Sequence, residues 1–317
     1  MNGNNLSEKI KAVILGHAVA DALGVPVEFS SRDDLERDPV TDMRGFGTYP
    51  YPAGCWSDDT SMSLAALDSL ASGRIDWEDI MRRLGLWYTS GEYTPTGTLF
   101  DIGNTCANAI CKYLNCGVPA VECGENGANS NGNGSLMRIH PFALYAFAAK
   151  KRVREAVEMI HTASSLTHSH RRSLVGCGIY YFVLTELLKR PEKSSVGVGL
   201  CAAEEYYNGS GELEYYSSLF CDGFERTERS DIRSGGYVVD TLEAALWCLL
   251  NSDSYAECAL MAVNLGEDTD TVAAVAGGLA GALYGYGCIP EEWLSQLKRR
   301  DYIEKMCEAA ALVWNKE

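Results

Sequence analysis

The chain has 317 residues, 46% of them apolar, with 43 acidic against 27 basic side chains and a formal charge of −16 at pH 7. A chain of that length can bury a core without disulfides or a structural metal, and so acidic a balance excludes nucleic-acid binding through a basic face, where affinity comes from clustered Lys and Arg. A small phosphorylated ligand stays open, because a helix N-terminus or a metal can meet its charge locally.

Apolar residues recur three and four apart from Leu6 to Leu23, which predicts a helix closed by Gly24 and Pro26. Asp21 falls on the Ile10, Ile14, His17 line of that helix, at a C-terminal end where the dipole disfavours an acid. A nearby cation, a buried hydrogen bond or simple exposure would each account for it. A long polar connection, Ser30 to Trp56, leads to a second helix, Met62 to Leu70, closed by Gly73. Another connection, Cys116 to Ser135, carries the run GENGANSNGNGS and precedes a helix from Leu136 to Ala149. A helix over Ser173 to Leu188 is followed by a third connection, Pro191 to Tyr237. Loops this long in a compact domain are usually functional or disordered. Helices follow at Leu242 to Leu250, where Asp240 and Glu243 read as a capping box, at Ala256 to Leu265, and at Ile303 to Val313. The uncharged stretch Thr271 to Ile289, with Gly277 and Gly281 four apart, has acidic flanks and no basic anchor. It reads as a buried helix rather than a membrane span, with small residues that let neighbouring backbones approach. Alternating β-branched runs are scarce and no linker or repeat divides the chain. The expectation is one all-α domain over residues 1–317.

The cysteines, 12 in number, show no framework spacing, and the densest group, Cys106, Cys111, Cys116 and Cys123, lacks the Cys-x-x-Cys pair of structural metal sites. The apolar run before His17 is too short for a signal peptide. A cytoplasmic monomer with free thiols and no membrane partner is the plain reading.

Two groups of hard oxygen ligands stand where helices begin: Ser57-Asp58-Asp59-Thr60 and Asp268-Thr269-Asp270-Thr271. Capping needs one side chain, and each group brings two carboxylates and two hydroxyls. Two aspartates ~4 Å apart repel by roughly 1 to 4 kcal/mol between water and an effective dielectric of 20. Bringing both groups together near a core therefore calls for a cation; carboxylate and hydroxyl ligands without Cys or His suit Mg, Mn or Ca, and the lack of a calcium-loop pattern favours Mg or Mn. The turn Asn133-Gly134-Ser135-Leu136-Met137-Arg138 opens a helix and can present backbone N–H groups to phosphate; an ordinary loop end has the same composition. His161, His168 and His170 cluster in a polar segment and fit either surface or ligand roles. P-loop, nucleophile-elbow and dinucleotide-binding fingerprints are missing.

Read together, GHAVADALGVPVEF (16–29), GCWSDDTSM (54–62), NGNGSLMRIHP (131–141) with LTHSH (166–170), and LGEDTDTVAAVAGGLAGALYG (265–285) resemble the ADP-ribosylglycohydrolase family. FDIGNT (100–105) and SGGYVVDTLEAALW (234–247) are similar to its bacterial branch. The resemblance spans nearly the whole chain. It implies an orthogonal helical bundle with a central cleft holding two Mg²⁺ or Mn²⁺ ions. By position, Ser57, Asp58 and Asp59 would ligate on one side and Asp268, Asp270 and Thr271 on the other. Glu28, an unremarkable loop acid by spacing, would join the metal centre, and Asp101 would stand near the scissile bond. The resemblance makes Asp101, Glu28 and Asp59 the catalytic candidates. Asn133, Gly134, Ser135 and Met137 would line the diphosphate and ribose, with His168 and Tyr237 touching ADP-ribose. The implied activity is metal-dependent removal of ADP-ribose from a modified protein side chain, arginine being favoured by FDIGNT. Hydrolysis of ADP-ribosylserine or a small ADP-ribose derivative, or ADP-ribose binding without catalysis, are the alternatives.

Overall fold

The computed structural model describes residues 3–315. Its helices are α1 (Gly3–Gly24), α2 (Arg32–Arg37), α3 (Asp58–Leu70), α4 (Trp77–Ser90), α5 (Asn104–Cys116), α6 (His140–Ala148) and α7 (Val153–Ser165). They continue as α8 (Arg171–Lys189), α9 (Ser194–Tyr207), α10 (Val238–Leu250), α11 (Tyr255–Val263), α12 (Thr269–Tyr284), α13 (Glu291–Gln296) and α14 (Arg300–Trp314). Among the described residues no strand forms, and β pairing is limited to the isolated bridges Glu125 to His168 and Gly132 to Tyr237. The fold is all-α, built around one continuous apolar cluster.

The centre of that cluster is the seam between α1 and α12. Helix α1 is buried from Ala12 onward and α12 along nearly its whole length, and small residues bring their backbones into contact. A Cβ added to Gly281 would stand 1.9 Å from the Ala12 carbonyl oxygen, and one on Gly277 2.5 Å from that of Gly16. The expected close approach is therefore present, although the helix runs from Thr269 to Tyr284 rather than from Thr271 to Ile289. By length and composition α1 is also apolar enough to cross a membrane over residues 5–27, but 83% of its apolar window is buried inside the molecule.

Several expectations needed correction. Pro141, which lacks an N–H, sits at the start of α6. The Leu136–Ala149 segment therefore divides into a 3₁₀ turn, Leu136–Arg138, and a new helix from His140. The connection from Pro191 contains α9, whose buried Val196, Leu200, Ala203 and Tyr207 keep helical spacing among serines and glycines. Helices α4, α5 and α7 also lie in segments where none was expected; α4 has Asp76 as its N-cap, accepting from the Asp79 N–H, and Gly91 in the left-handed conformation at its end. Asp240 and Glu243 form no capping box: α10 already begins at Val238, and the Glu243 carboxylate accepts from Ser218 instead.

Candidate functional site

The turn after α1 and the turn before α12 are stitched together. Phe29 N–H donates to the Glu267 carbonyl at 2.7 Å, and Glu267 N–H donates to that of Ser30 at 2.8 Å. A Cβ on Gly24 would come within 2.3 Å of the Asp270 Cα, so only glycine lets the end of α1 approach the start of α12 this closely. The Thr48 hydroxyl fixes the Glu28 carbonyl at 2.7 Å. Glu28 is thereby carried to the side of Asp268 and Asp270. Phe29, Asp101 and Glu267 have φ of 66°, 53° and 63°, so all three acid-bearing turns pass through left-handed backbone that residues with side chains resist.

At the start of α3, buried Asp21 accepts from the N–H groups of Ser57 (2.9 Å) and Thr60 (3.1 Å) and from the Thr60 hydroxyl (2.6 Å). The Ser57 hydroxyl accepts from Asp59 N–H at 3.3 Å. The needs of the helix end are thus met by Asp21 and Ser57, which leaves Asp58 and Asp59 free. At the start of α12, Thr269 donates to the Gly24 carbonyl at 2.9 Å, and the Asp268 carboxylate is steered by Asn133 Nδ2 at 2.8 Å. The Thr271 hydroxyl donates to Asp59 at 3.2 Å and joins the two groups.

Carboxylate oxygens of Glu28, Asp101 and Asp270 lie within 4.8 Å of one another. Burial, followed by the charge of Asp101, pushes Glu28 up to about 8. Burial, followed by Asp268, pushes Asp101 up to about 6. Asp58, Asp59 and Asp270 are held well above the ordinary aspartate range, first by burial and then by neighbouring carboxylates. Asp21 rises to about 7 through burial, against the opposing pull of its hydrogen bonds from Thr60 and Ser57. Glu28 Oε2 and Asp59 Oδ2 are buried with no hydrogen-bond partner among the described residues. Unpartnered oxygens in an acid group with neither Cys nor His suit a hard divalent cation, and the residues present fit one.

A cleft of about 330 Å³ is lined by Glu28, Asp58, Asp101, Asp268 and Thr271. Gly132, Asn133, Gly134, Met137, His168 and Gly236 also line it. Their backbone is fixed where Asn133 N–H meets the Gly236 carbonyl at 3.0 Å and Val238 N–H that of Asn131 at 3.2 Å. A larger apolar groove, about 630 Å³ beside Leu35, Trp247, Leu260 and Met261, lacks such a group of acids.

A cleft lined by acids and a glycine turn is the arrangement that the sequence motifs implied, and residues 2–317 match the ADP-ribosylglycohydrolase family. The chain belongs to that family. As an ADP-ribosylglycohydrolase it is a hydrolase of ADP-ribose linkages. It is 35% identical over 305 residues to an ADP-ribosylarginine hydrolase of Serratia proteamaculans, covering 95% of this chain and 78% of that one. It is 32% identical over 300 residues to the ADP-ribosyl-[dinitrogen reductase] glycohydrolase of Rhodospirillum rubrum, covering 94% and 92%. A solved structure titled ADP-ribosylglycohydrolase-related protein complex superposes with a TM-score of 0.80 at 29% identity, covering 98% of this chain and 99% of that one.

Of the residues marked by sequence, Glu28, Asp58, Asp101, Asn133, Gly134, Met137, His168, Asp268 and Thr271 line this ADP-ribosylglycohydrolase cleft. Asp270 meets Glu28 and Asp101, and Asp59 lies one layer deeper, held by Thr271. Ser57 serves as the α3 cap. Ser135 is turned inward, its hydroxyl 2.8 Å from that of Ser164. Tyr237 contributes its backbone bridge to Gly132, while its ring faces Arg172. His161 bonds the Tyr207 hydroxyl away from the cleft, and His170 caps α8. Sequence reading missed Tyr49, which lies beside Glu28 and Asp101. It also missed the aromatic shelf around that residue: the Phe100 ring lies 5.1 Å from that of Tyr49 and 4.4 Å from that of Tyr51.

Proposed function

We propose that this ADP-ribosylglycohydrolase removes ADP-ribose from modified arginine side chains of a protein, assisted by two Mg²⁺ or Mn²⁺ ions. The observation that carries this reading is the convergence of Glu28, Asp101 and Asp270 at a cleft that a glycine turn also lines. The arginine linkage is supported by the 35% identical Serratia relative and by the shelf of Tyr49, Tyr51 and Phe100, since aromatic faces beside carboxylates suit a planar cation.

Asp58, Asp59, Asp268, Asp270, Thr271 and Glu28 would hold the metal. When bound, it supplies polarisation of ribose hydroxyls and an acidified water. Glycosidic cleavage at the ribose anomeric carbon passes through an oxocarbenium-like state and needs a proton acceptor for water and a donor for the leaving nitrogen. Glu28 and Asp101, whose carboxylates converge beside Asp270, would supply the proton acceptor and the donor. Asn133, Gly134, Met137 and His168 would seat the diphosphate and ribose. The free thiols fit a cytoplasmic setting.

The test is turnover on arginine-linked against serine-linked ADP-ribosyl peptides, with Mn²⁺ binding measured alongside. Arginine-selective turnover that disappears in Asp58→Ala and Asp270→Ala together with Mn²⁺ binding is expected. Full activity and Mn²⁺ binding in both variants, or serine selectivity, would sink the proposal.

A further inference from the structure

His168 is 3% exposed and presents the Cε1–Nε2 edge of its ring to the glycine turn. A Cβ on Gly134 would lie 2.8 Å from its Cε1 and 3.3 Å from its Nε2, so the turn and the ring edge share one surface of the cleft. The backbone beneath the ring is pinned from both sides. His168 N–H donates to the Ser164 carbonyl at 2.8 Å, the Ser164 hydroxyl donates to the His168 carbonyl at 2.9 Å, and Glu125 bonds Thr167 and Ser169.

The far side of the ring determines what this edge offers. Arg138 is wholly buried, and its Nη2 donates to the Thr167 hydroxyl oxygen at 2.7 Å. The same oxygen lies 2.9 Å from His168 Nδ1. A guanidinium has only N–H donors, so Thr167 Oγ1 must accept from it. The oxygen keeps one proton to donate and a second lone pair, so the donor in its contact with Nδ1 is set by where the Thr167 proton goes. Cys106 Sγ is also near, but sulfur is a weak acceptor and an imidazole nitrogen a strong one. Giving that proton to the stronger acceptor leaves Nδ1 as the unprotonated nitrogen and puts the ring proton on Nε2. No protein acceptor takes that proton among the described residues. Burial, together with the nearby Arg138, keeps the ring neutral, with its value lowered to about 3.

We propose that Arg138 and Thr167 are positioning residues that lock His168 as a neutral Nε2–H donor, aimed at a ligand oxygen held against the glycine turn. This rests on the reading of the cleft as an ADP-ribose site, and it assigns a task to a buried arginine that has no carboxylate hydrogen-bonded to it. Among the described residues Arg138 Nε and Nη1 find no hydrogen-bond partner and no carboxylate pairs with it. Its one directed bond is the one that orients Thr167.

The tautomer is readable without any assay of turnover. In the full chain labelled with ¹⁵N at histidine, a long-range proton–nitrogen correlation distinguishes the two nitrogens, and His168→Gln identifies the signal. The expected result at pH 7 is a single Nε2–H species. An Nδ1–H species, a mixture, or a protonated ring would overturn the proposal. Calorimetric titration with ADP-ribose then tests the consequence: Thr167→Val should weaken binding about tenfold and admit the second tautomer, while Thr167→Ser should restore both. Unchanged affinity in Thr167→Val, or failure of Thr167→Ser to restore it while still folded, would equally overturn the lock. A wild-type chain that binds no ADP-ribose would instead overturn the reading of the cleft, and the tautomer measurement would remain separate from that result.

Discussion

The starts of α3 and α12 have nearly the same composition and are wired differently. At α3, the caps are Ser57 and an aspartate imported from α1, so the end of the helix is satisfied before Asp58 and Asp59 are considered. At α12, Asp268 caps nothing with its side chain; it is steered by Asn133, while Thr269 ties the helix to the Gly24 carbonyl. The difference separates two duties that look identical in sequence. Asp21 is an acid that builds the site, whereas Asp58, Asp59, Asp268 and Asp270 are acids the site holds in reserve.

That distinction predicts opposite outcomes for similar substitutions. Asp58→Ala or Asp270→Ala should cost about 1,000-fold in turnover, equivalent to about 4 kcal/mol. Calorimetric melting of the same variants in chelator should show equal or higher stability, because each removes a buried carboxylate from a repelling group. Asp21→Ala should do the reverse to the fold: it leaves three buried donors of Ser57 and Thr60 unpaired, each costing about 1 to 3 kcal/mol. A melting temperature unchanged in Asp21→Ala would erase the comparison.

The reserve acids also set a pH dependence. The folded values of Asp58, Asp59 and Asp270 lie above the unfolded ones, as do those of the neighbouring Glu28, at about 8, and Asp101, at about 6. Between the unfolded range near 4 and those values, the folded chain binds more protons than the unfolded chain. Stability in chelator should therefore fall as pH rises from about 4 to 8. Excess Mg²⁺ should flatten or invert that slope, since metal takes the place of the protons; parallel slopes with and without metal would contradict it. The smallest effect is expected at Asn133→Ala, which frees Asp268 without removing it. About tenfold weaker metal binding, with little change in melting temperature, would fit a residue that orients a ligand.

The reserve acids were legible from sequence because two carboxylates at one helix start exceed what capping can use. Asp21 was legible only as an anomaly: periodicity assigns a residue to a face, and its partners Ser57 and Thr60 come from a helix more than 30 residues away. Tyr49 gave no signal at all. It is a loop tyrosine whose place over Glu28 depends on Thr48 binding the Pro26 and Glu28 carbonyls, a contact no spacing rule encodes. The helical class followed from period alone, yet α9 was hidden because glycines and serines dilute its apolar stripe. Ser135, by contrast, was placed in the cleft by its motif, while the 3₁₀ turn that follows rotates its hydroxyl toward Ser164.

The seam between α1 and α12 bears on how this centre can change. Side-chain packing tolerates gradual adjustment, since a methyl lost on one helix can be recovered on its neighbour. Where Gly281 lies under the Ala12 carbonyl, main chain rests directly on main chain and there is no side chain left to trim. The span between Glu28 at the end of one helix and Asp270 at the start of the other behaves as a gauge block. Drift elsewhere in the bundle leaves it untouched, and a single added carbon at the seam shifts it whole.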